Sequence, residues 1–521
     1  AVVELMDLVI TVDTSVAHLA GAMGKEVWIL LPYSPDWRWL LERSDSPWYG
    51  SARLFRQTAL GDWAGVLGQV QEALKLRLTG QQRKSEQAPA SAPKPPVMTA
   101  QALGNRLTQA LNLLKQGQLD QAQLLFQEIL QAQPQHFDAL QFLAMTEAQK
   151  NNPAAARVLF EQALAINPQH AGTLNNYGNV LRALKCPEQA LASYDRALAI
   201  KPDYAEALGN RGNVLWELKR PAEALESYGR ALAIQPAYPE ALIERAAALL
   251  DLKRPEEALA SYVRALKFKP DFAEVHWNEA LCRLMLGEFE LGWQKYEWRW
   301  KTIHFIPAVR NFPQPLWLGK EPLGGKTILL HAEQGLGDTL QFCRYARQVA
   351  ALGATVVLEV QPALKSLLQG LEGVSLLLER GERLPDFDYH CPLMSLPLAF
   401  QADLSNISGA TYLQSEPAKR QQWQARLGPA SKTRVGLVWS GSTGHKNDHN
   451  RSLSLQQLTP LIRNEAQYYC LQKELRPGDR AALAKTPGIE FLGDSLKDFS
   501  DTAAVVELMD LVITVDTSVA H

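Results

Sequence analysis

A period of 34 residues constrains the fold of this chain more than any other feature of its sequence. Proline, a small residue and an aromatic residue each recur at this spacing, and the positions are Pro134, Pro168, Pro202, Pro236 and Pro270; Ala122, Ala156, Ala190, Ala224, Ala258 and Gly292; and Phe126, Phe160, Tyr194, Tyr228, Tyr262 and Tyr296. The small residue allows two helices to approach closely, the aromatic ring fills the space beside them, and proline ends a helix because it lacks an N–H. The period therefore predicts about six helix pairs over residues 101–304, stacked into a superhelix with a concave inner surface.

These residue types at this spacing are typical of tetratricopeptide repeats. A further column of three asparagines, Asn176, Asn210 and Asn278, lies at one position of the first helices, and Glu244 interrupts it. One interpretation is that asparagine is merely tolerated there. The other is that the column resembles the asparagine ladder of the O-linked N-acetylglucosamine transferase superhelix, whose amides bind the backbone of an extended peptide. The second interpretation predicts a protein or peptide acceptor in the repeat groove.

The two ends of the chain carry the same 18 residues, AVVELMDLVITVDTSVAH, at positions 1–18 and again at 504–521. Gradual divergence would have left differences, so the order of elements is expected to continue from the end of the chain into its beginning. Either a module of about this length is repeated in tandem in a longer protein, or one module is given in circularly permuted order. In the second case we expect residues 19–80 to pack against residues 434–503, with one 18-residue copy displaced.

Composition and the order of apolar runs predict five segments. They are the C-terminal part of a Rossmann-like half at 1–80, a flexible linker rich in Pro, Ala and Ser at 81–100, the repeats at 101–304, another Rossmann-like half at 305–430, and the first part of the permuted half at 431–521. The predicted fold is multidomain: an all-α superhelix plus an α/β module of two Rossmann-like halves in circularly permuted order.

Each half opens with a short apolar run and a turn. The first has KTILLH at 326–331, the turn EQGLGD at 333–338 and an amphipathic segment; the second has RVGLVWS at 434–440 and reaches the strand Leu8–Val12 in permuted order. The EQGLGD turn is not G-x-G-x-x-G, so dinucleotide binding is poorly supported. Ligands of such sheets bind at the carboxyl ends of the strands, which places the candidate site at these turns.

The motifs QGLGD, WSGS…NRS and VDTSVAHLAGAMGK are similar to those of glycosyltransferase family nine, the ADP-heptose heptosyltransferases. HAEQGLGDTLQFCRYA and LLPYSPDWRWLLERSDSPWYGSARLFRQ resemble the members fused to tetratricopeptide repeats. The resemblance covers nearly the whole chain. It implies the GT-B arrangement and inverting transfer of a sugar from a nucleotide-sugar, an ADP-sugar being the candidate, with neither a metal nor a further cofactor.

The resemblance also implies roles for single residues. Asp338 becomes the general base for the acceptor hydroxyl, in a turn that Gly335 and Gly337 allow to bend tightly. The acidic residue of the D-T-S-x-x-H turn holds sugar hydroxyls, and the following amides and histidine bind the donor phosphates. That turn occurs twice, as Asp13, Thr14, Ser15 and His18, and as Asp516, Thr517, Ser518 and His521. In the basic segment GHKNDHNR, Lys446 and Arg451 are expected to neutralise the leaving diphosphate.

Plainer interpretations exist for each of these residues. Asp338 and Asp13 fit helix caps, His18 fits a helix surface, and the basic segment fits a solvated loop. Ser15 stands where many heptosyltransferases carry glycine, and residues 325–430 have no cluster of Lys and Arg for a phosphorylated lipid core. Two further functions therefore stay open: an interaction scaffold with a degenerate catalytic module, and an enzyme with a glycan acceptor.

Composition excludes several other classes. A net charge of −2 gives no overall reason to bind nucleic acid or an anionic membrane. The five cysteines form no C-x-x-C pair, which argues against a zinc site or a disulfide framework and favours a reducing cytoplasm. No apolar run approaches the ~20 residues that span a bilayer, and no signal peptide is recognisable.

Overall fold

The computed structural model describes residues 9–12, 27–31, 44, 51–56, 63–78, 99–443 and 448–521. The chain divides into two compact units, residues 1–98 and residues 99–521. Five predicted site residues lie outside the described residues: Asp13, Thr14, Ser15, His18 and Lys446.

The N-terminal unit contains a parallel sheet and one helix. Its strands are β1 (Val9–Val12), β2 (Val27–Leu31) and β3 (Ala52–Arg56), in that order across the sheet, and its helix is α1 (Trp63–Leu78). One face of α1, with Val66 and Val70, packs against Trp28 and Phe55. The central strand β2 is buried from Trp28 to Leu31, as expected for a parallel strand.

The repeats form six helix pairs at the start of the second unit. Their helices are α2 (Ala100–Lys115), α3 (Leu119–Ala132), α4 (Phe137–Gln149), α5 (Pro153–Ile166), α6 (Ala171–Ala183), α7 (Pro187–Ile200), α8 (Ala205–Glu217), α9 (Pro221–Ile234), α10 (Pro239–Asp251), α11 (Pro255–Leu266), α12 (Ala273–Met285) and α13 (Phe289–Tyr296). The periodic alanines and aromatic residues are buried between these helices, which confirms their predicted packing role. At Gly178, an added Cβ would lie 2.5 Å from Cε1 of Tyr194, so this contact requires glycine or a shift of the ring.

A second periodic feature is the backbone conformation of the turn between the two helices of each pair. One residue per turn has a left-handed backbone with φ between 56° and 77°, and these residues are Gly117, Asn151, Lys185, Lys219, Lys253 and Gly287. Glycine adopts this conformation without strain, whereas lysine does not. The prolines at the start of α5, α7, α9 and α11 occupy the first helical turn, where no N–H is needed.

The last repeat continues into a four-stranded parallel sheet. Its strands β4 (Thr327–His331), β5 (Thr355–Val360), β6 (Leu376–Glu379) and β7 (Tyr389–Pro392) have the order β6-β5-β4-β7. The helices between and after them are α14 (Leu336–Phe342), α15 (Ala346–Ala351), α16 (Pro362–Leu368) and α17 (Leu396–Ala399). Ala280 and Tyr296 belong to the core of this sheet, and Trp293 Nε1 donates to the Ala402 carbonyl at 3.0 Å. The repeats and the sheet therefore share one core.

A second four-stranded parallel sheet follows. Its strands β8 (Thr433–Val438), β9 (Ala466–Cys470), β10 (Ile489–Phe491) and β11 (Leu511–Thr514) have the order β10-β9-β8-β11. Its helices are α18 (Pro417–Leu427), α19 (Asp448–Arg451), α20 (Leu455–Leu458), α21 (Asp479–Ala484) and α22 (Phe499–Glu507). Helix α22 joins the two sheets, because it packs against α16 of the first sheet. Its Glu507 carboxylate also accepts hydrogen bonds from the N–H (2.6 Å) and the hydroxyl (2.8 Å) of Ser415, which lies just before α18.

Candidate functional site

The turn after β4 positions Asp338. Helix α14 begins with Gly335 as its N-cap, and Asp338, the third helical residue, accepts a hydrogen bond from the Gly335 N–H at 2.8 Å through Oδ2. The carboxylate therefore completes a capping box, although at the third helical position and not at the N-cap itself. This bond uses only one of the two carboxylate oxygens of Asp338. The same side chain can therefore cap the helix and take part in chemistry through its other oxygen.

The turn after β11 faces this turn. An added Cβ at Gly337 would lie 2.7 Å from Cδ2 of His521 and 3.5 Å from Cα of Ser518. Glycine at 337 is therefore what permits the two turns to approach so closely. Burial raises the pKa of Asp338 and nearby Asp516 adds to this, whereas the Gly335 N–H and His521 partly offset it. The structure thus brings Gly337 and Asp338 together with Asp516, Ser518 and His521.

Arg451 lies beside the same turn. Its Nη1 is 3.6 Å from an Asp516 carboxylate oxygen, and its Nε is buried without a hydrogen-bond partner in the described part of the chain. An added Cβ at Gly441 would lie 2.8 Å from Nη2 of Arg451, so glycine makes room for the guanidinium. A buried donor without a partner is costly, and an anion such as a phosphate would satisfy it.

The loop after β8 is held by residues that the sequence analysis missed. Gln472 Oε1 accepts hydrogen bonds from the N–H groups of Trp439 (2.7 Å) and Ser440 (3.0 Å), and its Nε2 donates to the Ser440 hydroxyl. Arg476 forms an ion pair with Asp448 at 2.6 Å. The sequence signal was the position of Gln472 at the carboxyl end of a strand, two residues after Cys470, where β9 ends. These bonds fix the backbone of residues 439–441 at the carboxyl end of the sheet.

A buried ionic cluster behind the β4 turn was also missed. Arg299 is fully buried, and its guanidinium contacts Glu297 at 2.7 Å, the Ser395 hydroxyl at 2.7 Å and Glu333 at 3.3 Å. Burial raises the pKa of Glu333 from its ordinary 4.5 to about 7, partly offset by Arg299 and by the Met394 N–H. The cluster joins the end of the repeats to the first sheet.

The three predicted asparagines do not all stand free in the groove. Asn210 Nδ2 donates to Oδ1 of the fully buried Asn175 at 3.0 Å, and Asn175 Nδ2 in turn contacts Oδ1 of Asn176 at 3.4 Å and Glu206 at 3.0 Å. The amides of Asn176 and Asn210 therefore have partners in the scaffold. Peptide binding through their remaining donors and acceptors stays a prediction.

Three negative findings apply to the described residues. No group of three His, Cys, Asp or Glu side chains there is arranged to hold a metal ion. No helix among those described is long and apolar enough to cross a membrane. All five cysteines are free thiols, and four of them are buried.

Comparison with known proteins identifies the helical part. Tetratricopeptide-repeat family models match residues 107–171, 169–237 and 215–284. The chain contains tetratricopeptide repeats. A curated relative, Protein FlbA of Caulobacter vibrioides, is 28% identical over 272 residues, which cover 45% of this chain and 43% of FlbA. The chain therefore spans less than half the length of that relative.

Among solved structures, three are similar to parts of this chain. PilF of Pseudomonas aeruginosa is 23% identical with a TM-score of 0.36, covering 39% of this chain and 91% of PilF. PilW, a type IV pilus biogenesis factor, is 23% identical with a TM-score of 0.37, covering 41% and 97%. YrrB, described as having an unusual peptide-binding site, is 21% identical with a TM-score of 0.29, covering 33% and 88%.

Proposed function

We propose that this chain is an inverting glycosyltransferase that moves a sugar from a nucleotide-sugar donor to an acceptor without a metal ion. The observation that carries the proposal is the approach of the Asp338 turn to the Asp516–His521 turn at the ends of two parallel sheets. Ligands of such sheets bind at the carboxyl ends of their strands. The motif resemblance of both turns to glycosyltransferase family nine supports a GT-B arrangement.

Asp338 is the proposed general base. An acceptor hydroxyl transfers its proton to the Asp338 carboxylate while its oxygen attacks the anomeric carbon, and the bond from that carbon to the diphosphate breaks on the opposite face. One displacement of this kind inverts the configuration. The pKa of Asp338 is raised by burial, which makes its carboxylate a stronger base than an exposed aspartate.

Arg451 is the proposed partner of the leaving diphosphate. Its buried Nε has no hydrogen-bond partner in the described residues, and its contact with the exposed Asp516 is a loose 3.6 Å. A diphosphate can replace that contact at low cost and stabilise the charge that develops as the donor bond breaks. Lys446 and the turn residues Thr517, Ser518 and His521, or their copies Thr14, Ser15 and His18, are the further proposed phosphate contacts.

The test of the catalytic proposal compares Asp338→Asn with the exposed Asp494→Asn as a matched control. Asp338→Asn should keep donor binding and lower turnover by about 10²–10⁴-fold, because only the proton acceptor is lost. Release of nucleoside diphosphate and a thermal-shift screen against ADP-, UDP- and GDP-sugars give the two readouts; a ligand at 100 times its Kd stabilises by about 2.7 kcal/mol. Equal loss of affinity and turnover would make Asp338 a binding residue.

The acceptor is proposed to be a protein or peptide in the repeat groove. Replacing Asn176, Asn210 and Asn278 together by alanine should raise the KM for a protein acceptor and leave donor hydrolysis unchanged. Asn175→Ala is the matched control, since it removes the buried amide that links Asn176 and Asn210 without removing a predicted contact. An unchanged KM in the triple variant would refute the peptide ladder.

A second candidate is an interaction scaffold with a degenerate catalytic module. It is favoured by one finding: the family models that match this chain match its repeats, and such repeats present extended concave binding surfaces. Absence of nucleotide-sugar hydrolysis and of thermal stabilisation by all three donors would favour the scaffold. Transfer to an oligosaccharide but not to protein would select the third candidate, an enzyme with a glycan acceptor.

A further inference from the structure

Glu244 in α10 interrupts the asparagine column of the first helices. The same position is Asn176 in α6, Asn210 in α8 and Asn278 in α12. Glu244 is half-buried. Burial raises the pKa of its carboxyl group, Arg182 partly offsets this effect, and Glu217 adds to it. A partly buried carboxylate of this kind is stabilised in its charged form by a cation placed close to it.

The scaffold offers Glu244 no such partner. Asn210, one repeat earlier, donates to Oδ1 of Asn175 at 3.0 Å. The residue that has the same relation to Glu244 is Gly209, which has no side chain. Glu244 forms neither a hydrogen bond nor an ion pair with any residue that the structure describes. The exchange of an amide for a carboxylate therefore leaves a charged group without a counterpart in the repeats.

The other carboxylates along this face do have partners. The contacts are Asn175–Glu206 at 3.0 Å, Arg182–Glu217 at 2.8 Å and Trp216–Asp251 at 2.5 Å. Each contact joins the first helices of successive repeats, and these helices line the concave surface of the superhelix. Arg182 is the one cation in this set, and Glu217 already occupies it. The middle of the groove is therefore negatively charged, and Glu244 is its unpaired carboxylate among the described residues.

The side chain next to Glu244 on the same helix face is shortened. In two earlier repeats an asparagine lies three residues after the column and accepts a hydrogen bond from a tyrosine hydroxyl; these pairs are Asn179–Tyr194 at 2.6 Å and Asn213–Tyr228 at 2.7 Å. In α10 the corresponding residue is Ala247. Residues three apart lie on one face of a helix, so the groove beside Glu244 is less filled than in those two repeats.

We propose that Glu244 selects a protein or peptide acceptor that carries an arginine or a lysine at the position bound in the middle of the groove. The cationic side chain lies beside Ala247 and pairs with the Glu244 carboxylate. Charge complementarity of this kind gives specificity, because a neutral or acidic side chain leaves the carboxylate unpaired or repels it. The inference rests on the proposed function in one respect, which is that the acceptor binds in the repeat groove.

The test measures peptide binding to the full chain by fluorescence polarisation, without a sugar donor. The probes are labelled mixtures of 15-residue peptides, capped at both ends, with alanine, serine or threonine at every position except the central one. The central residue is arginine in one mixture and glutamine in the other. Wild type should bind the arginine mixture about ten-fold more tightly than the glutamine mixture.

The variants separate the charge of Glu244 from its surroundings. Glu244→Asn restores the residue type of the column and should remove the preference for arginine. Glu226→Asn is the matched control: Glu226 is exposed on the second helix α9, so this variant should keep the preference. Ala247→Asn leaves the carboxylate in place but fills the space beside it, and should weaken binding of the arginine mixture. Glu244→Arg should reverse the selection in favour of a third mixture with a central glutamate.

Equal affinity of wild type for the arginine and glutamine mixtures would overturn the proposal. So would a preference that survives Glu244→Asn, or failure of every mixture to bind. None of these results touches the catalytic proposal, because the assay contains no donor. Conversely, an intact arginine preference without any release of nucleoside diphosphate would refute catalysis and leave Glu244 as the selective residue of an interaction scaffold.

Discussion

Replacing Glu333 by glutamine tests the buried ionic cluster behind the β4 turn. The Glu333 side chain is 2% exposed, and its nearest charge is Arg299 at 3.3 Å. Burial raises the pKa of Glu333 from 4.5 to about 7, so the folded protein binds this proton more tightly than the unfolded chain does. The stabilisation is therefore complete below pH 4.5 and is lost as the pH rises through about 7.

The magnitude follows from those two values. Each pH unit between them is worth about 1.4 kcal/mol, so ionising Glu333 costs the folded wild type about 3 kcal/mol between pH 4.5 and pH 8. Glutamine has the same shape and does not ionise. At pH 5 the folded wild type carries a protonated, uncharged Glu333, so we expect Glu333→Gln to be about as stable as wild type. By pH 8 the difference should move in favour of the variant by about 3 kcal/mol.

Hydrogen exchange at the amides of β4 and β5 measures the opening free energy of this sheet specifically. It should be recorded for wild type and Glu333→Gln at pH 5, 6, 7 and 8, after correction for the intrinsic exchange rate. Glu372→Gln is the control, since Glu372 is 69% exposed and should show no such trend. A stability difference that stays constant from pH 5 to 8 would show that Arg299 keeps Glu333 ionised, and the reasoning from burial would then be refuted.

Four other substitutions, one of them a control, test single backbone positions. Lys185→Gly should raise the free energy of unfolding by about 0.5–1 kcal/mol, because φ there is 60° and glycine removes the strain; a lower urea midpoint would contradict this. Gly319→Ala should cost at least ~2 kcal/mol in the same assay, since φ is 88° and the added Cβ would lie 2.2 Å from a carbonyl oxygen, whereas Gly325→Ala, with a similar φ of 70° and open space, should cost about 1 kcal/mol. Gly441→Ala should displace Arg451 and weaken nucleoside diphosphate binding about ten-fold in calorimetry; unchanged affinity would remove Arg451 from the proposed site.

The sequence by itself determined the elements that depend on local spacing. The 34-residue period predicted the helix pairs, because a small residue, an aromatic ring and a proline each act within one repeat. The short apolar runs at 326–331 and 434–440 predicted β4 and β8 to within two residues, since a buried parallel strand needs apolar residues on both faces. The Gly335–Asp338 turn could be placed at the start of a helix, because a turn between an apolar run and an amphipathic segment is also a local pattern.

Tertiary structure alone decided which of these elements meet. The contact of Gly337 with His521 joins residues from the ends of different sheets, and Glu333 meets Arg299 across the boundary between repeats and sheet. Gln472 reaches the N–H of Trp439 from a neighbouring strand. No local pattern encodes these contacts, because they depend on strand order and on how one core packs against another.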